Sequence, residues 1–236
     1  MPVGVIQSKR PEGEEFALSE TLTAASLPRI GEPAPDFEAK STQGVIRLSQ
    51  FRGQWVMLFS HPADFTPVCT TEISEFARRH EEFRRRGVQL IGLSVDSVPS
   101  HLAWTRDMQE RLGQPVPFPI VADLDMSVSR RYGMIHPGES DTATVRAVFF
   151  IDDQGIIRAL LYYPLSLGRS VDELLRVIDG LQVAARHRVA TPVDWKPGQP
   201  VVVPAPTTDR EILSPDQAAA QGMEYLTWYL RKRPLP

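Results

Sequence analysis

Three runs of apolar residues constrain this chain most. Trp55 to Ser60 (WVMLFS), Val88 to Val95 (VQLIGLSV) and Val145 to Ile151 (VRAVFFI) are six to eight residues long. Each is continuous rather than alternating, the pattern of a strand buried on both faces. Helical patterns separate them. Strands that alternate with helices place helices over both faces of one sheet.

The intervening segments fill in the order. Asp36 to Ala39 and Val45 to Leu48 flank a Ser41-Thr42-Gln43-Gly44 turn, a hairpin at the entry. After His61-Pro62, Thr66 is placed as an N-cap and Pro67 as the first helical residue, where its missing N–H costs nothing. Val68, Ile73, Phe76, Ala77, His80 and Phe83 share one helical face, and Gly87 stands where that single helix ends. Its Arg-rich stretch carries Glu75/Arg79, Glu81/Arg85 and Glu82/Arg86 four apart, which marks an ion-paired solvated face and not a nucleic-acid patch. Ser100 to Leu112 reads as a helix, Phe118 to Ala122 as a strand and Ser127 to Tyr132 as a short helix. Val145–Ile151 and Ile156–Tyr163 form a hairpin around Asp152-Asp153-Gln154-Gly155. Ser170 and Glu173 form a capping box before a helix with Val171, Leu174, Leu175, Ile178 and Leu181 on its apolar face. Residues 30–190 are therefore expected to be one α/β domain with a mixed sheet flanked by helices.

Residues 1–29 read as an N-terminal extension and 191–236 as an extended C-terminal appendage, rich in proline and PPII-prone. A short helix is expected from Pro215. The aromatic segment Tyr225 to Leu230 cannot bury itself and should pack on the main domain or on another subunit. Arg231-Lys232-Arg233 reads as a solvated end. The N-terminus has no apolar run of signal length, and Glu12, Glu14, Glu15 and Glu20 suit a transit peptide poorly. No apolar run is long enough to span a membrane, so no membrane partner is expected and the cytoplasm is the expected location. With 26 Lys+Arg against 29 Asp+Glu, the charge balance excludes a whole-surface grip on nucleic acid.

The chain has a single cysteine, Cys69. That excludes an intrachain disulfide, a CxxC pair, a multi-cysteine zinc site and an iron–sulfur cluster. A lone cysteine is ordinarily a small buried hydrophobe, and here its neighbours decide otherwise. In Ser60-His61-Pro62-Ala63-Asp64-Phe65-Thr66-Pro67-Val68-Cys69, the cysteine falls at the third helical position. Unsatisfied N–H groups and the positive dipole end favour an anion there. A thiol so placed loses its proton more easily, and the thiolate is the nucleophile. Thr66 Oγ1 lies within reach of the same space and can orient a substrate oxygen. Pro62 and Pro67 stiffen the loop and restrict water around the sulfur.

Pro62-x-x-x-Thr66-x-x-Cys69 resembles the active-site motif of the peroxiredoxins, and SHPADFTPVCTTE resembles that of the one-cysteine subfamily. The similarity continues through IGEPAPDFEA, VRAVFFIDDQG, GRSVDELLRVIDGLQ and RVATPVDWKPGQPVVV, over roughly residues 30–205. It implies a thioredoxin-like fold and a cofactor-free thiol peroxidase acting on hydrogen peroxide and organic hydroperoxides. Cys69 matches the peroxidatic cysteine that becomes a sulfenic acid. Thr66 matches the residue that hydrogen-bonds sulfur and peroxide, Pro62 the one that shields the site. Arg146 matches the arginine that stabilises thiolate and developing charge. His61 and Arg169 match residues placed at the substrate, and Glu72 is expected to pair with an arginine and hold the helix turn. His80 reads as a packed structural histidine. The spacings of His61, His80, His101, His136 and His187 suggest no metal site. Some relatives carry a lipase serine just before the SHP string. Gln54 stands at that position here, so that activity is not expected.

With no second thiol in the chain, reduction must come from an external thiol or another reductant, and overoxidation is the hazard. The resemblance also implies a homodimer or larger homo-oligomer. The alternative class is an oligomeric holdase chaperone with secondary peroxidase activity, suggested by the aromatic tail. A cysteine hydrolase using Cys69 and His61 would need an Asn or Asp orienter, and none is evident.

Overall fold

The computed structural model describes residues 27–235. Residues 1–26, most of the expected N-terminal extension, lie outside the described residues. The chain enters through a hairpin of β1 (Glu38–Ser41) and β2 (Gly44–Arg47), followed by β3 (Trp55–Ser60). Next come α1 (Pro67–Arg78), α2 (His80–Arg85), β4 (Val88–Ser94), α3 (Val98–Leu112), β5 (Ile120–Ala122) and α4 (Ser127–Arg131). The hairpin of β6 (Arg146–Ile151) and β7 (Ile157–Tyr163) leads to α5 (Val171–His187). The seven strands form one sheet in the order β2-β1-β5-β4-β3-β6-β7. β4 runs parallel to β3 and β5, and the remaining pairs are antiparallel. This is the expected mixed, thioredoxin-like sheet.

The central strands are buried on both faces because successive side chains alternate between two cores. Met57, Phe59, Leu90, Val148 and Phe150 join Ile73, Phe76, Phe83, Trp104, Met108, Leu174 and Ile178 beneath α1, α2, α3 and α5. Val56, Leu58, Ile91, Ala147, Phe149 and Ile151 join Phe37, Ile46, Val128 and Tyr132 on the other face. Cys69 belongs to the first core. The continuous apolar runs arise because neither face of these strands meets water.

Three local expectations need correction. The single helix ending at Gly87 is two: at Arg79 the backbone leaves helical values (φ −100°, ψ 10°), and α2 starts afresh with Phe83 against Phe76 at 6.2 Å. The ion pairs on this face are mostly three apart or tertiary. Arg79 binds Glu82 and Asp172, Arg86 binds Asp179, and of the expected four-apart pairs Glu81–Arg85 is present at 3.3 Å. The capping box at Ser170 is half formed: Ser170 Oγ accepts from Glu173 N–H, while the Glu173 carboxylate binds Arg176.

The C-terminal segment is more ordered than its proline content suggests. β8 (Val201–Val203), α6 (Pro215–Ala220), β9 (Glu224–Thr227) and β10 (Leu230–Arg233) follow α5, and the strands form a second sheet in the order β8-β10-β9. Trp195, 1% exposed, joins Val189, Val201 and Val183 in a small core that ties this segment to the end of α5. Leu226, Trp228 and Tyr229 remain about half exposed.

Phe149 is fully buried, with Tyr132 4.9 Å and Tyr162 5.8 Å from its ring. Phe149→Ala is expected to lower stability by about 3–5 kcal/mol, read as a shift in the urea midpoint. It lies on the sheet face opposite Cys69, so the folded variant keeps its peroxidase activity.

Candidate active site

The topology brings three segments to one end of the sheet. β3 ends at Ser60, and its antiparallel pairing with β6 (Phe59 opposite Val148) sets the start of β6 beside that end. Ser60 Oγ fixes the junction by donating to the Val145 carbonyl at 2.6 Å and accepting from Ala147 N–H at 3.1 Å. The loop His61 to Thr66 then turns directly into α1. Phe65 lies in the left-handed region (φ 55°), an uncommon and strained conformation for a bulky residue.

Thr66 occupies the N-cap position with extended backbone, and Pro67 is the first helical residue. The Thr66 hydroxyl, however, does not cap the helix. It donates to the Ala63 carbonyl at 2.8 Å, which leaves its lone pairs to accept. The first intrahelical bond runs from Thr70 N–H to Thr66 O at 2.9 Å. The amides of Val68 and Cys69 precede it and have no helical acceptor. Cys69 Sγ therefore sits at a helix end that favours negative charge. Both the cysteine and Pro62 are buried.

Arg146, the first residue of β6, donates from Nη1 to Cys69 Sγ at 3.4 Å and to Glu72 Oε2 at 2.7 Å. Its Nε and Nη2 hold the Leu165 carbonyl at 3.0 and 2.7 Å. Glu72, one turn after Cys69, accepts from the Arg169 backbone N–H, Nε and Nη2, each at 2.8 Å. Arg169 Nη1 donates to the Ala147 carbonyl, and its guanidinium lies over Phe59 and Phe76 at 5.3 and 5.5 Å. Burial pushes the Glu72 carboxyl up, but the hydrogen bonds and charge of Arg169, with the charge of Arg146, hold it below its ordinary value. Each nitrogen of Arg169 is thus engaged away from the sulfur, in contrast to the substrate-facing place expected for it.

His61 and His101 are 0% exposed and both contact the Asp64 carboxylate, with Asp96 beside it. The histidine spacings did not reveal this group, which has the donor types of a divalent-cation site. The two histidines face the Asp64 carboxylate directly at hydrogen-bond distances. Sequence alone assigns no role to Asp64 or His101. His101 lies three and seven residues before Trp104 and Met108 on the buried face of α3, and a histidine in that register was the available signal. His80 stacks on Phe118 at 6.1 Å, and burial lowers its pKa.

A cleft of about 340 Å³ opens beside the helix start, lined by Phe65, Thr66, Thr70, Trp104 and Met108 among others. A larger cleft of about 790 Å³, lined by Gln54, Arg86 and Asp153 among others, contains no serine, threonine, cysteine or histidine.

The comparisons bear on this constellation. Residues 30–160 match the AhpC/TSA family, and residues 180–213 match the C-terminal domain of 1-Cys peroxiredoxin. A peroxiredoxin of Aquifex aeolicus is 52% identical over 223 residues, 90% of this chain and 99% of that one. Among solved structures, the yeast mitochondrial 1-Cys peroxiredoxin superposes with a TM-score of 0.77 at 39% identity, over 89% of this chain and 100% of that one. A cysteine-to-serine mutant of peroxiredoxin 6 from Arenicola marina gives 0.79 at 38%, over 88% and 98%. Nothing in these comparisons favours the holdase alternative. With its one cysteine under an arginine at a helix start, on a thioredoxin-like fold, the chain belongs to the peroxiredoxins of the one-cysteine type, thiol-dependent peroxidases.

Proposed function

We propose that Cys69 is the peroxidatic residue, that Thr66, Arg146, Pro62 and His61 form its peroxide site, and that Glu72 and Arg169 orient Arg146. The contact from Arg146 Nη1 to Cys69 Sγ at 3.4 Å carries this reading. The Cys69 thiolate attacks the terminal oxygen of ROOH. The S–O bond forms, the O–O bond breaks, and the electron pair leaves on the RO oxygen, which takes a proton and departs as ROH. Sulfur is oxidised to the sulfenic acid and the peroxide is reduced. Arg146 faces the developing charge with a fixed, permanently charged fork. Thr66 offers lone pairs to the peroxide O–H, and Pro62 excludes water.

Charge bookkeeping supports the assignment. Glu72 with Arg146 and Arg169 carries one negative and two positive charges in a buried site. The thiolate brings the sum to zero, so the pocket complements the ionised nucleophile.

An external thiol then attacks the sulfenic sulfur, releasing water and forming a mixed disulfide. A second thiol frees Cys69. The yeast relative is described as resolving through glutathione/thioredoxin systems, and small or protein thiols of that class are the proposed reductants here, with the cytoplasm as a fitting reducing compartment. Among the described residues, no helix is long and apolar enough to cross a membrane. Leu226, Trp228 and Tyr229, exposed on the small sheet, support a homodimer or larger homo-oligomer in which residues 191–236 pack on a partner subunit.

Consumption of hydrogen peroxide and of an organic hydroperoxide with dithiothreitol tests the site. Cys69→Ser is expected to abolish it, and normal turnover by that variant overturns the assignment. Arg146→Gln is expected to lower the second-order rate about 10²–10³-fold. Glu72→Gln leaves two buried guanidiniums undercompensated and is expected to cost about 3–5 kcal/mol of stability at neutral pH. Because the folded-state pKa of Glu72 lies below its ordinary 4.5, its contribution is full above that value and is lost as pH falls through the folded value. Urea unfolding across pH should therefore show the gap between wild type and variant closing on acidification.

A further inference from the structure

The sulfur, Arg146 and Glu72 leave one buried polar group without a role. Asp96 Oδ2 accepts from Ser94 Oγ at 2.6 Å and from the Asp64 backbone N–H at 3.0 Å. The Asp64 carboxylate faces His101 Nδ1 at 2.8 Å and His61 Nε2 at 3.1 Å. On its other side, His101 Nε2 meets the Val121 carbonyl at 3.2 Å. Three segments of the sheet end and the buried face of α3 are thus joined by a chain of hydrogen bonds.

The chemistry of the partners sets the protons. Burial pushes the Asp64 carboxyl up, but the hydrogen bonds and charges of His101 and His61 more than reverse this and hold it well below the ordinary range. An ionised carboxylate and a peptide carbonyl can only accept. His101 therefore donates to Asp64 from Nδ1, the nearer contact. His61 must also donate to Asp64, from Nε2. Burial keeps His61 below its ordinary pKa despite Asp64, so it carries one proton, and Nδ1 keeps its lone pair. Nδ1 is buried and has no partner among the described residues.

We infer that His101 and Asp64 are positioning residues for the peroxidase: their buried hydrogen bond holds His61 in the tautomer whose bare Nδ1 accepts the peroxide O–H. This rests on the placement of His61 at the peroxide proposed above. The tautomer is selected before substrate arrives, so no rearrangement accompanies binding.

Nitrogen NMR of the full chain, labelled with ¹⁵N-histidine and recorded at neutral pH, tests it. His101 is expected with Nδ1 protonated and His61 with only Nε2 protonated, the signals assigned by their loss in His101→Leu and His61→Asn. A bare Nδ1 on His101 or a bare Nε2 on His61 in the wild type overturns the inference, even where variants fail to fold. Asp64→Asn and His101→Leu are expected to release His61 into a tautomer mixture and to lower the second-order rate with hydrogen peroxide about tenfold. The outcomes separate the two claims. Full activity in His61→Asn removes His61 from the peroxide and the inference with it. A slow His61→Asn beside Asp64→Asn and His101→Leu proteins with native His61 signals and full rates removes the inference alone.

Discussion

Glu72 sits between two guanidiniums, and the arrangement around Cys69 depends on that contact. Three segments far apart in sequence supply the charges: the first turns of α1, the start of β6 and the loop before α5. All three residues are at least nine-tenths buried. Removing such groups from water costs several kcal/mol per ion, recovered only when each has partners with good geometry. Here Glu72 accepts from four nitrogens, while the Leu165 and Ala147 carbonyls take further donors. The ion group makes a weak case as a source of stability. It makes a strong one as a positioning device, because it aims a single N–H of Arg146 at the sulfur.

The helix start complements this from the other side. Pro67 has no N–H to spend, and Thr66 gives its hydroxyl hydrogen to Ala63 instead of capping. The amides of Val68 and Cys69 are left for an anion. The left-handed Phe65 is the conformational cost of turning from the strand end into the helix over so few residues. Strain in the loop and unfilled donors in the helix are thus two aspects of one geometry.

Much of this was legible in sequence, for reasons that differ by element. The buried strands were readable because neither face of β3, β4 or β6 meets water, which leaves uninterrupted apolar runs. Cys69, Thr66 and Pro62 were readable because a helix start is local, and eight residues of chain contain all three. Arg146 stood out as a charge inside an apolar strand. Other features depend on contacts that no spacing encodes. Glu72 meets Arg169 across 97 positions, and His101 meets Asp64 across 37. Arg79, where the helix breaks, meets Asp172 across 93 positions. The small C-terminal sheet escaped notice because its strands are three or four residues long and partly exposed, too short for a period to show.

The charge sum around the sulfur also determines which oxidation states the pocket tolerates. A thiolate balances Glu72 and its two arginines, whereas a neutral sulfenic acid leaves one positive charge uncompensated. A sulfinate, the product of a second oxidation, is again an anion and restores the balance. With Cys69 as the proposed peroxidatic residue, the electrostatics that prepare it for its first oxygen therefore also stabilise the dead end reached with the next. For a chain with no internal thiol to intervene, the working lifetime becomes a race between two diffusing molecules, reductant and peroxide, for the same atom.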